Sequence, residues 1–209
     1  MAFQTKQDQV ADILRERVIA GTYRRGERLK QADIAAELGV SITPVREALH
    51  ILEAEGYVVG VSHRGLLVPE IDLERAGELL HLRLMLERDL TEAALPAMTP
   101  AKLAELKALQ AAVAAAAATE DRHAVRTANY RFHFRLYEIA DRPQTLGFVR
   151  ILWARYPFTM QEAGSNRLAR MLAEHDRILA MIEADERDGA VAAMVEHIES
   201  GWRELSPAR

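Results

Sequence analysis

The 209-residue chain is 49% hydrophobic and 28% charged, with 11 glycines and 7 prolines, a balance that fits a folded globular protein and excludes collagen-like and disordered classes. It contains no cysteine, which excludes a disulfide framework, a thiolate zinc site, an iron–sulfur cluster and a cysteine nucleophile. A net charge of −4 argues against a nucleic-acid partner only if it is spread evenly, and it is not: residues 1–69 carry nine basic and nine acidic side chains, and the remainder 18 against 22.

Near the start, Val10, Ile13, Leu14 and Val18 recur at helical spacing before Gly21, which predicts a helix over residues 7–20. A short helix over residues 31–38 ends at Gly39. Ser41 or Thr43 caps the next helix and Pro44 suits its first turn, where no amide donor is required. That helix runs through Val45, Leu49 and Leu52 to Gly56. Two short apolar runs, 57–61 and 66–69, flank the polar turn Ser62-His63-Arg64-Gly65 and predict a β-hairpin. Helix, helix, tight turn, helix and hairpin is the outline of a winged helix-turn-helix, assigned to residues 1–69.

After a linker at residues 70–72 the pattern is all helical over residues 73–209. Six helices are expected, at 73–97, 100–119, 121–140, 143–161, 167–184 and 186–205, forming an antiparallel bundle. The alanine run 111–118 has high helix propensity and is expected to pack closely on a neighbour. The fold class is therefore mainly α, with one small hairpin. The first ten residues lack the apolar core of a secretory signal, and the longest uncharged stretch, 108–119, is well short of the about 20 residues that a membrane span needs. A cytoplasmic protein with no membrane partner is expected.

In a helix-turn-helix the second helix presents polar side chains at its amino end to the major groove, while its later turns stay apolar. Ser41, Thr43 and Arg46 occupy that end. Arg46 has the chemistry to grip a guanine edge or a phosphate, although Glu47 or Glu53 offers it an ordinary surface partner. His63 and Arg64, ahead of Gly65, make a small cationic wing tip. In the second half, Asn129 and His133 stand four residues apart on one helix face, and His175 and His197 each follow a glutamate on the last two helices. Three imidazoles and one oxygen suit Zn²⁺, Ni²⁺ or Mn²⁺ with positions open to a ligand, although a lone helical histidine is more often an ordinary core or surface residue. Arg83 sits in an apolar helix and needs a partner, either Glu87 at i+4 or an anionic ligand. Trp153, Tyr156 and Phe158 suit a pocket, a dimer surface or plain core. Motifs of serine hydrolases, P-loops, dinucleotide folds and zinc proteases are absent. A small metal-dependent hydrolase at the three histidines is the alternative to a regulator.

The phrase GVSITPVREALHILEAEGYVV, followed by HRGLLV, closely resembles the amino-terminal domain of the GntR superfamily of bacterial transcription regulators, whose usual form is VSRTPVREAL, then LE-x-EG, then an RG-x-x-V wing. The helical remainder resembles the ligand-binding (FCD) domain of the FadR branch, in its six-helix, VanR-like version. The resemblance implies a homodimeric repressor that binds a pseudo-palindromic double-stranded operator and responds to a small organic acid. It also implies that Asn129, His133, His175 and His197 hold a divalent metal and that Arg83 meets an effector carboxylate. Asn129 replaces the family's Asp and brings no charge, which weakens such a site. Ile42 and Ala32 replace two family arginines, leaving Arg28, Lys30, Ser41, Thr43, Arg46, His63, Arg64 and Gly65 to meet DNA.

Overall fold

The protein is described by a computed structural model covering residues 5–72, 74–155 and 165–203. Helix α1 (Lys6–Ala20) opens on a capping box in which the Thr5 side chain accepts from the Asp8 amide while Asp8 accepts from the Thr5 amide, so two amide donors left over at the helix start are satisfied. It stops at Gly21, whose φ of 81° needs no Cβ to be accommodated. Helices α2 (Gln31–Leu38) and α3 (Ile42–Glu55) follow, separated by a turn at Gly39. Ser41 has the extended backbone of a capping residue, but neither it nor another side chain caps α3 by hydrogen bonding. Val10, Leu14 and Val18 of α1 are buried, as are Val45, Leu49 and Leu52 of α3. The two helices pack together, and each such side chain contributes about 1.5–3 kcal/mol.

The hairpin consists of β2 (Val59–Val61) and β3 (Gly65–Leu67), with Val61 opposite Gly65. Its turn is thus the three residues Ser62 to Arg64, one fewer than expected, because Gly65 belongs to the ladder. A further strand, β1 (Arg28–Leu29), pairs antiparallel with β3, giving the order β1-β3-β2. Two residues carry too little periodicity to announce a strand, so only the partner strand reveals it.

The second half comprises α4 (Ala76–Ala94), α5 (Pro100–Ala118), α6 (Arg122–Ile139), α7 (Pro143–Arg155), α8 (Ser165–Glu183) and α9 (Arg187–Arg203). Pro96 turns the expected end of α4 into a separate 3₁₀ turn, Leu95–Ala97. Thr99 and Asp121 cap α5 and α6 through their side-chain oxygens. The expected helix positions at 73, 156–161 and 204–205, with Tyr156 and Phe158, lie outside the described residues. The alanine run is helical, but Ala111, Ala112, Ala114, Ala115 and Ala118 are exposed. The helix packs against α6 and α8 through Leu106, Gln110 and, within the run, Val113: propensity set its helicity and the larger side chains set its seat.

The two halves meet where α1 lies against α6 and α3 against α7. Arg131 of α6 grips Glu16 of α1 at 2.6 and 2.7 Å. Arg126 donates to the Ala20 carbonyl at 3.0 Å, and the His123 Nδ1 lies 2.8 Å from the same oxygen, so the guanidinium meets a carbonyl left over at the α1 carboxyl end.

Candidate metal centre and nucleic-acid interface

Each of the six helices of the second half contributes to one buried polar cluster. His133 (α6), His175 (α8) and His197 (α9) are 1%, 0% and 6% exposed and offer ligand atoms that lie within 4.8 Å of one another. The His197 Nε2 is 3.1 Å from the His133 Nε2 and 3.3 Å from that of His175. Nitrogens held at about 2.0–2.1 Å by one ion stand roughly 2.8–3.4 Å apart at octahedral to tetrahedral angles, so these two spacings match a metal centre.

The outer nitrogens fix the protons. The Gln110 amide donates to Asp176 at 3.0 Å and to the Leu172 carbonyl at 3.2 Å, so its Oε1 faces His175 Nδ1 at 2.8 Å and only accepts. The Glu174 carboxylate accepts from His197 Nδ1 at 2.8 Å. The Tyr137 hydroxyl donates to Glu87 at 2.5 Å, so its oxygen accepts from His133 Nδ1 at 3.1 Å. All three protons therefore sit on Nδ1, and three bare Nε2 lone pairs converge with no hydrogen between them. That arrangement repels itself unless a cation occupies its centre, and fixed Nδ1 partners are what metal-bound imidazoles use.

Burial pushes the His133 and His175 rings well below their ordinary pKa, and the neighbouring imidazoles add to this. Burial also lowers His197, against the opposing pull of Glu174. Burial raises Glu174, but hydrogen bonds from His197 and Ser200 outweigh it and hold its pKa at about 2. The donor set is thus neutral imidazole, as a metal requires. Asn129 lies one turn before His133, and its Oδ1 is buried without a hydrogen-bond partner. A buried amide oxygen without a partner, on the helix that carries His133, has the chemistry of a fourth ligand.

Arg83 makes the expected pair with Glu87, but inside the core: the residues are 4% and 0% exposed, with Nε to Oε1 at 2.5 Å. Its guanidinium lies 5.1 Å from the Trp153 ring, and the Trp153 indole donates to Glu87 at 3.1 Å. Arg83, Glu87, Tyr137 and His133 thus form one continuous chain to the histidine cluster. Gln110, Glu87, Tyr137 and Glu174 were not singled out as metal-centre partners in the sequence. Tyr137 at i+4 from His133, and Gln110 inside an alanine-rich helix, were the available signals. Glu174 and Glu196 both precede a histidine, yet Glu174 holds His197 rather than its neighbour, and Glu196 pairs with Arg177 at the surface.

In the amino-terminal half, Ser41, Thr43 and Arg46 are exposed at the start of α3. Arg46 touches Glu47 at 3.4 Å with both side chains largely exposed, a contact worth little against water. Lys30, just before α2, is exposed and 3.6 Å from Asp33. His63 adopts a φ of 62° at the wing tip and Gly65 one of 80°. A Cβ on Gly65 would stand no closer than 3.4 Å to the flexible Arg28 guanidinium, so it is the positive φ of the turn, and not crowding, that calls for glycine. The eight residues expected to meet DNA thus lie in β1, at the starts of α2 and α3, and in the wing.

A winged helix-turn-helix joined to a helical domain with a buried polar centre defines the class of ligand-responsive transcription regulators. The chain belongs to it by family as well: residues 6–68 match the bacterial regulatory proteins of the gntR family and residues 78–200 match the FCD domain. It is 26% identical over 192 residues to the HTH-type transcriptional regulator McbR of Escherichia coli (strain K12), covering 90% of this chain and 87% of that one. It is also 26% identical over 184 residues to the Nta operon transcriptional regulator of Aminobacter aminovorans, covering 88% and 86%. The structure of E. coli McbR/YncC superposes with a TM-score of 0.84 at 25% identity, covering 97% of this chain and 98% of that one. Over 79 residues, 38% of this chain and 32% of the relative, it is 38% identical to the gluconate operon transcriptional repressor of Bacillus subtilis (strain 168). The family consists of regulators and not of enzymes, and the hydrolase alternative is set aside. No described helix is long and apolar enough to cross a membrane.

Proposed function

We propose that the protein is a cytoplasmic repressor that binds a pseudo-palindromic operator as a homodimer and is released by a small organic acid bound at the buried histidine centre. The observation that carries this reading is the double use of α6: it supplies His133 to the centre and Arg126 and Arg131 to α1 of the DNA-binding half. A ligand that repositions α6 would change the pose of the winged helix and so the affinity for DNA. His133, His175, His197 and Asn129 would hold Zn²⁺, Ni²⁺ or Mn²⁺, which would polarise and orient a bound carboxylate. Arg83 is its cationic neighbour, reached through Glu87. On the DNA side Ser41, Thr43 and Arg46 enter the major groove, Arg28 and Lys30 meet phosphates, and His63, Arg64 and Gly65 form the wing contact.

A mobility-shift assay with the full chain and its upstream intergenic DNA tests this reading. Sequence-preferring, salt-sensitive binding is expected, weakened by one member of a carboxylate panel in the presence of metal. Binding that ignores sequence would refute it. For the metal, elemental analysis of the purified wild type should find a divalent ion that His133→Ala or His175→Ala removes without unfolding; a metal-free wild type would sink the site.

A further inference from the structure

Ile42 is the first residue of α3 and its side chain is 51% exposed. The fold gives it no task, because α3 packs through Val45, Ala48, Leu49 and Leu52, all fully buried. Its exposed neighbours Thr43 and Arg46 share the amino-terminal turn, the part of a recognition helix that touches base edges. An exposed branched hydrocarbon at that place costs solubility and returns no stability, so its use lies in what the turn meets.

We propose that Ile42 reads a thymine C5-methyl group in the major groove. Among the four bases only thymine presents a methyl there, and apolar contact is how side chains distinguish it. Against guanine, adenine or cytosine, Ile42 would cover a polar edge without replacing its hydrogen bonds, which is unfavourable. The β-branched side chain is stiff at χ1 and loses little freedom on contact. Where an arginine would select guanine through paired hydrogen bonds, isoleucine shifts the preference of that position to thymine, and Arg46 remains available for an adjacent base or phosphate.

This inference rests on the DNA-binding reading above. The full-length chain is used to select duplexes from a random library, and each thymine of the selected site is then replaced in turn by deoxyuridine, which lacks only the methyl group. The wild type is expected to lose about fourfold in affinity per half-site at one symmetric position, roughly fifteenfold when both half-sites are replaced. Ile42→Ala should bind thymine and uracil duplexes equally, and Ile42→Arg should select guanine at the same position. Unchanged circular dichroism melting verifies that the variants are folded, as exposure of the residue implies. Equal affinity of the wild type for every uracil duplex, or a thymine preference that survives Ile42→Ala, would overturn the assignment. A library that yields no preferred sequence would instead overturn sequence-specific DNA binding itself, and the role of Ile42 with it.

Discussion

Replacing Glu87 by Gln removes the carboxylate that neutralises Arg83 at almost constant volume. Both side chains are within the core at 4% exposure or less, so water cannot take over the lost interaction. Glu87 accepts from Arg83 at 2.5 Å, Tyr137 at 2.5 Å and Trp153 at 3.1 Å, and a Gln amide turns one acceptor into a donor facing a donor. Breaking a buried ion pair from one side costs about 3–5 kcal/mol. For a chain of this size that lowers Tm by roughly 6–20 °C, measured by calorimetry or circular dichroism. The double variant Arg83→Met with Glu87→Gln should recover part of the loss, because the charge left behind is removed as well. An E87Q protein as stable as the wild type, or a double variant less stable than the two single losses combined, would refute the role assigned to this pair.

Gln110→Leu frees the proton of His175 to move to Nε2, and affinity for Zn²⁺ in a chelator competition should fall about 10–100-fold with unchanged helicity; an unchanged affinity would mean that the tautomer is fixed otherwise. Glu174→Ala should weaken Zn²⁺ binding by a similar factor while Glu196→Ala leaves it unaltered, since only Glu174 reaches a ligand ring; equal effects would contradict the pairing. For the metal-free chain, the folded histidines have pKa values below the ordinary 6.5, so their unfolded forms take up protons first. Their contribution is fully present above pH 6.5 and is lost as pH falls, on the order of 1 kcal/mol per histidine for each pH unit. Urea denaturation at pH 7.5 and 5.5 should show it, and equal midpoints would speak against three neutral buried rings.

Much of this protein is local in origin. Helix periodicity, Gly21, Gly39 and Gly56 as stops, and proline-marked joints placed the helices within a few residues, and the Gly39 to Gly56 phrase specified a winged helix-turn-helix whose family the comparisons bear out. The three histidines were visible as residues, but only the bundle brings side chains 64 and 22 residues apart along the chain to 3.1 and 3.3 Å contacts. Strand β1 depended on β3 for its existence. Glu174 and Glu196 looked alike in sequence and were separated only by which side of the helix faced the core. The charge of −4 lost its meaning once the chain was divided at Pro69, whereas the burial of Arg83 with Glu87 could not be read from spacing at all, since an i,i+4 pair looks the same at the surface and in the core. Sequence determines helix, turn and motif because these depend on neighbours a few residues away; proton positions, ligand convergence and desolvation depend on groups brought together across the fold.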